Sequence, residues 1–224
     1  MTGTLFDVRA VPETLAHPAK FTAAILDVLR PLVPPGAIVL DPFAGTGRVH
    51  RIAARAVGVE IEPEWAGMQR RTVVADALAL PFGAGTFDVI CTSPTYGNRL
   101  ADHHEAQDGS VRRSYRHTLG RPLHPHNAGA MQWGEEYRCF HLAAWCEAVR
   151  VLRAGGVFLL NVSDHVRRGV VQPVTAWHLD TLAALGLVLV DRVEVLTPRL
   201  RYGANASVRV AFETVAALGR GDQR

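Results

Sequence analysis

Lysine is almost missing from this chain: Lys20 stands alone, and arginine supplies the rest of the 24 basic residues. Cysteine is nearly as scarce. Cys91, Cys139 and Cys146 are odd in number and unclustered, which argues against a disulfide framework and predicts buried thiols in a reducing, cytoplasmic setting. There is no run of ~18 apolar residues of the kind that crosses a bilayer. Met1 to Asp7 has no basic start followed by an apolar block, so no secretory signal is expected. No repeat or low-complexity segment occurs. No C-x-x-C pair or H-x-x-x-H helix pair stands beside Cys139-x-His141, so no metal site is expected there. A strong charge imbalance is also absent: the formal net charge is +3 and the pI near 9.0. That balance permits a nucleic-acid partner without requiring one.

What is present begins with apolar residues, 48% of 224 positions, enough for the core of one α/β domain over residues 1–224. The run Ala37-Ile38-Val39-Leu40 reads as a buried parallel strand. It leads into Asp41-Pro42-Phe43-Ala44-Gly45-Thr46-Gly47, and Val49 to Arg55 then has helical spacing of apolar residues. Strand, glycine turn and helix make the front edge of a nucleotide-type site, because glycines let the backbone turn sharply and approach a ligand. Val57 to Ile61 reads as the next strand. Its Glu60 falls 19 positions after Asp41, where an acid can take both hydroxyls of a ribose. A dinucleotide wants a third glycine and a pyrophosphate on the helix N-terminus. Here that position is His50, and the strand-end acid Asp41 would repel a pyrophosphate. A carboxylate there suits a sulfonium or ammonium, so S-adenosylmethionine is the favoured cofactor.

A second signal is Ser93-Pro94-Thr95-Tyr96, directly after the strand-like run Phe87 to Cys91. Open α/β sheets bind ligands at the carboxyl ends of such strands. With both motifs in this order, the chain resembles the S-adenosylmethionine-dependent amino-methyltransferases of DNA, which carry D-P-F-x-G-x-G and (Asp/Asn/Ser)-Pro-Pro-(Tyr/Phe/Trp). Thr95 replaces the second proline, and one proline leaves the loop looser than two. The resemblance implies a seven-stranded class I methyltransferase (Rossmann-like) α/β fold, mostly parallel, with an antiparallel C-terminal strand and helices on both faces. It also implies cofactor contacts from His17, Pro18, Lys20 and Phe21 over the methionine end, from Asp41 to Gly45 and Gly47, from Glu60 and Ile61, and from Asp76 and Ala77 at the adenine. Catalysis would fall to Ser93, Pro94, Thr95 and Tyr96, acting on an exocyclic amine of a nucleobase. Serine at the first position leans toward cytosine N4 over adenine N6, with DNA presenting a flipped or single-stranded base. Guanine-N2 methylation of RNA, a small-molecule methyltransferase and a catalytically silent nucleic-acid- or partner-binding relative remain open.

Residues 97–135 lack a clear period and far exceed an ordinary α/β connection. They hold Tyr115, Trp133 and five histidines, His103, His104, His117, His124 and His126, with His141 just beyond. This reads as a substrate-facing loop. Asn98, Arg99, Arg112, Arg113 and Arg116 are its candidate nucleic-acid contacts, with Arg121 nearby, since arginine forks suit phosphate. Asp102-His103 could form an acid/base pair. Elsewhere the pattern predicts a helix from Pro63, a strand at Val73-Val74-Ala75, a helix from Glu136 to Arg153 closed by Gly155-Gly156, and a strand from Val157 to Val162. It further predicts a helix from Val174 to Leu185, strands at Leu187 to Val195 and Ser207 to Phe212, and a frayed tail from Gly219.

Overall fold

The computed structural model describes residues 21–97, 115–197 and 208–221. Seven strands form the main sheet: β1 (Val39–Asp41), β2 (Ala56–Glu60), β3 (Thr72–Val74), β4 (Phe87–Thr92), β5 (Leu152–Val162), β8 (Leu187–Leu196) and β9 (Phe212–Arg220). A two-stranded hairpin, β6 (His165–Arg167) and β7 (Val170–Gln172), stands apart. The sheet order is β3-β2-β1-β4-β5-β9-β8. The first five strands in that order run parallel, and β9 is antiparallel to both β5 and β8. This is the mostly parallel class I arrangement that the resemblance implies.

The interior strands are buried on both faces, and their alternation divides the core. Val39, Val89, Cys91, Leu159, Val215 and Ala217 pack with Phe21, Ile25 and Leu29 around α1 (Ala23–Leu29). Leu40, Ile90, Phe158, Leu160, Ala216 and Leu218 face the other way, with Tyr137, Trp145 and Ala148 of α4 (Glu135–Val151) and Val174 and Leu182 of α5 (Val174–Ala184). Helices therefore cover both faces. Each fully buried large side chain, such as Trp145 or Phe158, contributes ~1.5–3 kcal/mol relative to exposure.

Several elements differ from expectation. The helix after the glycine turn is a single 3-10 turn, Arg48–Arg51, because β2 begins too soon for more. The helix from Pro63 is only α2 (Pro63–Ala66). α4 stops at Val151, and Gly155 (φ 67°) and Gly156 lie within β5, where the pairing with β4 jumps from Phe87–Leu152 to Val89–Val157. Leu142 of α4 is exposed. The last strand is Phe212–Arg220, so Gly219 and Arg220 are paired in the sheet rather than frayed. Of the thiols only Cys91 is buried; Cys139 and Cys146 are exposed. Within the expected loop, α3 (Tyr115–Leu119) and a 3-10 turn, Ala128–Ala130, are formed. Among the described residues no helix is long and apolar enough to cross a membrane.

Candidate active site

β1 and β4 are neighbours in register, Val39 to Val89 and Leu40 to Ile90. Their carboxyl ends therefore bring together two motifs that are distant in sequence. The Thr92 hydroxyl, last residue of β4, donates to Asp41 Oδ1 at 2.7 Å, and Ser93 begins the following turn. Asp41 Oδ1 also accepts from the Phe43 amide at 3.0 Å, which shapes the start of the glycine turn. Burial pushes the Asp41 carboxyl up to about 7, with the Thr92 and Phe43 hydrogen bonds offsetting part of the rise.

The turn that follows is held from both sides. Gly45 N donates to Glu60 Oε2 at 2.8 Å, while Glu62 N donates to Glu60 Oε1 at 2.9 Å. Burial pushes Glu60 up to about 7 as well, against the pull of these two amides. Gly47 has φ 76°, and a Cβ on it would lie 2.4 Å from Gln69 Cγ, so this position excludes any side chain. His50, where a dinucleotide fold would want glycine, is buried against the Thr72 hydroxyl at 3.0 Å, and burial lowers it to about 4. The neutral imidazole and the 3-10 turn leave no helix N-terminus for a pyrophosphate.

Thr95 takes a role that its sequence position did not suggest. Its hydroxyl donates to Ala128 O at 3.1 Å, and its carbonyl accepts from the Tyr137 hydroxyl at 2.6 Å. Trp133 N donates to Gly97 O at 2.7 Å. Three hydrogen bonds thus hold the turn that a second proline would otherwise stiffen. Behind it, His178 Nδ1 accepts from Trp145 Nε1 at 2.9 Å, so its proton sits on Nε2, 2.8 Å from the Tyr137 hydroxyl. Full burial keeps His178 neutral, well below the usual histidine range. His141 is likewise buried, on Phe43, Tyr137 and Trp145. Cys139 lies exposed two residues away.

Ser93 and Tyr96, expected to be catalytic, face a network the sequence did not reveal. Ser93 Oγ lies 3.0 Å from the Tyr96 hydroxyl, which donates to Glu213 Oε2 at 3.0 Å. Asn161 Nδ2 reaches Glu213 Oε2 at 2.7 Å, Tyr96 OH at 3.1 Å and Ser93 Oγ at 3.3 Å. Asn161 comes from the end of β5 and Glu213 from the start of antiparallel β9, so both reach the same edge of the sheet. Pro94 is buried, and Thr95 and Tyr96 are half-buried.

The loop is fastened at the carboxyl end of β2. Glu62, fully buried, accepts from Arg121 at 2.7 Å, from His124 N at 2.8 Å and from Asn127 Nδ2 at 2.8 Å. Arg121 also pairs with Glu64, so its fork is spent on carboxylates rather than left for phosphate. Tyr115 packs edge-on to Trp65 at 5.1 Å. Asp76, the expected adenine acid, accepts from Leu78 N at 2.9 Å and lies 2.7 Å from His126 Nδ1. Ile61 is half-buried and Ala77 buried. Arg116 is exposed on α3, whereas Phe21 turns into the core beneath α1. His17, Pro18, Lys20, Asn98, Arg99, Arg112, Arg113 and the Asp102-His103 pair lie outside the described residues. The β6–β7 hairpin was also not expected. His165 at its foot lies against the Tyr96 backbone, and its tip carries exposed Arg167 and Arg168. Arg168 (φ 52°) and Gly169 (φ 76°) make the two-residue turn.

No protein-family model matches the chain, and no curated protein matches it. Solved structures do match. A SAM-dependent methyltransferase of Methanosarcina mazei superposes with a TM-score of 0.56 at 10% identity, over 88% of this chain and 98% of its own. The 1,6-didemethyltoxoflavin-N1-methyltransferase of Burkholderia thailandensis, with S-adenosylhomocysteine bound, gives 0.50 at 18% identity over 89% and 79%. The [4+2]-cyclase SpnF gives 0.53 at 16% identity over 88% and 81%. The fold is thus that of the class I S-adenosylmethionine-dependent methyltransferases. A cyclase on the same scaffold means that the reaction has to be argued from the site.

Proposed function

We propose that this protein transfers a methyl group from S-adenosylmethionine to an exocyclic amine of a nucleobase, with cytosine N4 of DNA favoured over adenine N6. The observation that carries the reading is the Thr92–Asp41 hydrogen bond, which sets the Asp-Pro-Phe turn and the Ser-Pro-Thr-Tyr turn side by side. The residues present fit the cofactor. Two buried carboxylates held near neutral pKa, Asp41 and Glu60, gain from a cationic, hydroxyl-bearing ligand. The cofactor, when bound, supplies an electrophilic methyl on a good leaving group.

The chain's own residues do the remainder. Glu60 takes the ribose hydroxyls and Asp76 the adenine amine. The Ser93 hydroxyl oxygen and the Pro94 carbonyl accept the hydrogens of the incoming amine, which directs its lone pair at the methyl. Alignment of this kind is worth ~7–11 kcal/mol. Tyr96 gives the base a flat face, and stacking of that kind contributes ~1–3 kcal/mol per base. The exposed arginines at the hairpin tip and on α3 suit a phosphate backbone beside this mouth.

The test is mass spectrometry of nucleosides after incubating the protein and methyl donor with unmodified DNA or tRNA. N4-methylcytosine in DNA, lost in Ser93→Ala, is expected. N6-methyladenine would move the target within DNA, and N2-methylguanine in tRNA would move it to RNA. Donor binding without any methylated nucleoside would overturn the proposal.

A further inference from the structure

Glu213 is a buried acid at the target end of the sheet that neither cofactor binding nor the Ser-Pro-Thr-Tyr turn accounts for. Its carboxylate can only accept, which fixes the direction of every hydrogen bond leading to it. The Tyr96 hydroxyl spends its proton on Glu213 Oε2. The 3.0 Å contact between Ser93 Oγ and Tyr96 OH must then carry the serine proton toward the tyrosine oxygen. Asn161 is oriented by the same logic, since its Nδ2 and not its Oδ1 faces the carboxylate at 2.7 Å. Ser93 Oγ therefore has no proton to offer outward and presents a lone pair to whatever lies in front of it.

We propose that Glu213, acting through Tyr96 and Ser93, orients the serine as a pure acceptor and is the final acceptor of the proton that the target amine releases. This rests on the amine-methylation reading above. In balanced form, the amine nitrogen pair forms the N–CH3 bond. The C–S bond of the sulfonium donor breaks, and its pair stays on sulfur. The methylated nitrogen passes one proton to Ser93 Oγ, Ser93 passes its own to the Tyr96 oxygen, and Tyr96 passes its own to Glu213 Oε2. The end state is neutral Glu213, restored hydroxyls and a neutral secondary amine. Glu213 and Asn161 are positioning residues in this scheme, because neither touches the substrate.

The test uses Glu213→Gln, with Tyr96→Phe as a second variant that keeps the ring and cuts the path. Glutamine can donate to Tyr96, which reverses the chain and turns the Ser93 proton outward. The first readout needs no methyl donor. It is the affinity of single-stranded oligonucleotides that differ at one base by amine against oxo: cytosine or uracil, adenine or hypoxanthine. A third pair, guanine and hypoxanthine, compares amine with hydrogen. The wild type should prefer the amine member of its target pair by ~5–10-fold, the worth of one hydrogen bond, and Glu213→Gln should lose that preference. The second readout is turnover. In both variants kcat should fall ~100-fold or more, as for a lost proton acceptor, while KM changes much less. Wild-type transfer with unchanged kcat and amine preference in Glu213→Gln would overturn this inference alone. Should Glu213→Gln fail to fold, an undiminished kcat in Tyr96→Phe would overturn it equally. A wild type that methylates no base would overturn the underlying function instead.

Discussion

Asp41→Asn should make the empty protein more stable at pH 8 while abolishing its use of the cofactor. Asp41 is fully buried at the end of β1, and its pKa stands near 7 against 3.8 for the free side chain. An acid raised in this way contributes stability in full below its unfolded pKa and loses it as pH rises through the folded value. Each pKa unit is 1.36 kcal/mol, so a rise of about 3 units costs the folded state about 4 kcal/mol once pH exceeds 7. Asparagine keeps the Oδ1 acceptor for Thr92 and Phe43 and carries no charge. Its amide hydrogens need partners, a cost of ~1–2 kcal/mol. The net gain at pH 8 is about 2–3 kcal/mol, or roughly 5–10 °C in melting temperature for a chain of this size. At pH 5 the wild-type carboxyl is already mostly protonated, and the gain should shrink by more than half. Thermal and urea unfolding at the two pH values, without ligand, measure this directly. A variant less stable than wild type at pH 8, or stabilised equally at both values, would refute the reasoning.

Other consequences follow from the same contacts. Donor affinity should rise with pH up to about 7, because the cationic ligand must draw a proton off Asp41 or Glu60, and calorimetry in buffers of different ionisation enthalpy should register proton release. Thr95→Val removes the hydroxyl that holds Ala128 O, so stability should drop by ~1 kcal/mol, and proteases should cut residues 115–130 sooner. Glu62→Ala leaves His124 N and Asn127 Nδ2 without their acceptor and takes from Arg121 one of its two carboxylates; a loss of ~2–4 kcal/mol is expected in urea unfolding. Gly47→Ala drives a Cβ into Gln69 at a left-handed φ and should end donor binding in calorimetry, with far-UV circular dichroism unchanged.

The elements read from sequence were those whose own pattern determines them. β1, β2 and β4 are apolar runs bounded by turn residues, and α4 and α5 keep a helical period over several turns. β9 was misplaced because Glu213 to Arg220 has no alternation of its own: it is buried on both faces, and its strand state comes from pairing with β5 and β8. The β6–β7 hairpin has three-residue strands, too short to show a period, although its Arg168-Gly169 turn was a visible cue. The two site motifs were legible because a glycine turn and a Ser-Pro step constrain the backbone locally. Glu62, Asn161 and Glu213 were not, since a single acid or amide in a strand or turn carries no local mark. Their roles arise only where the sheet brings them against Arg121, Tyr96 and Ser93.

The position of a bound methyl donor tests the proposed function most directly. A crystal of the protein grown with S-adenosylhomocysteine should show the ribose hydroxyls on Glu60, the amino group at the Asp41 end of the glycine turn, and the thioether facing Ser93 and Tyr96. A ligand seated elsewhere on the chain, or in the crevice with its sulfur turned away from Ser93, would contradict it.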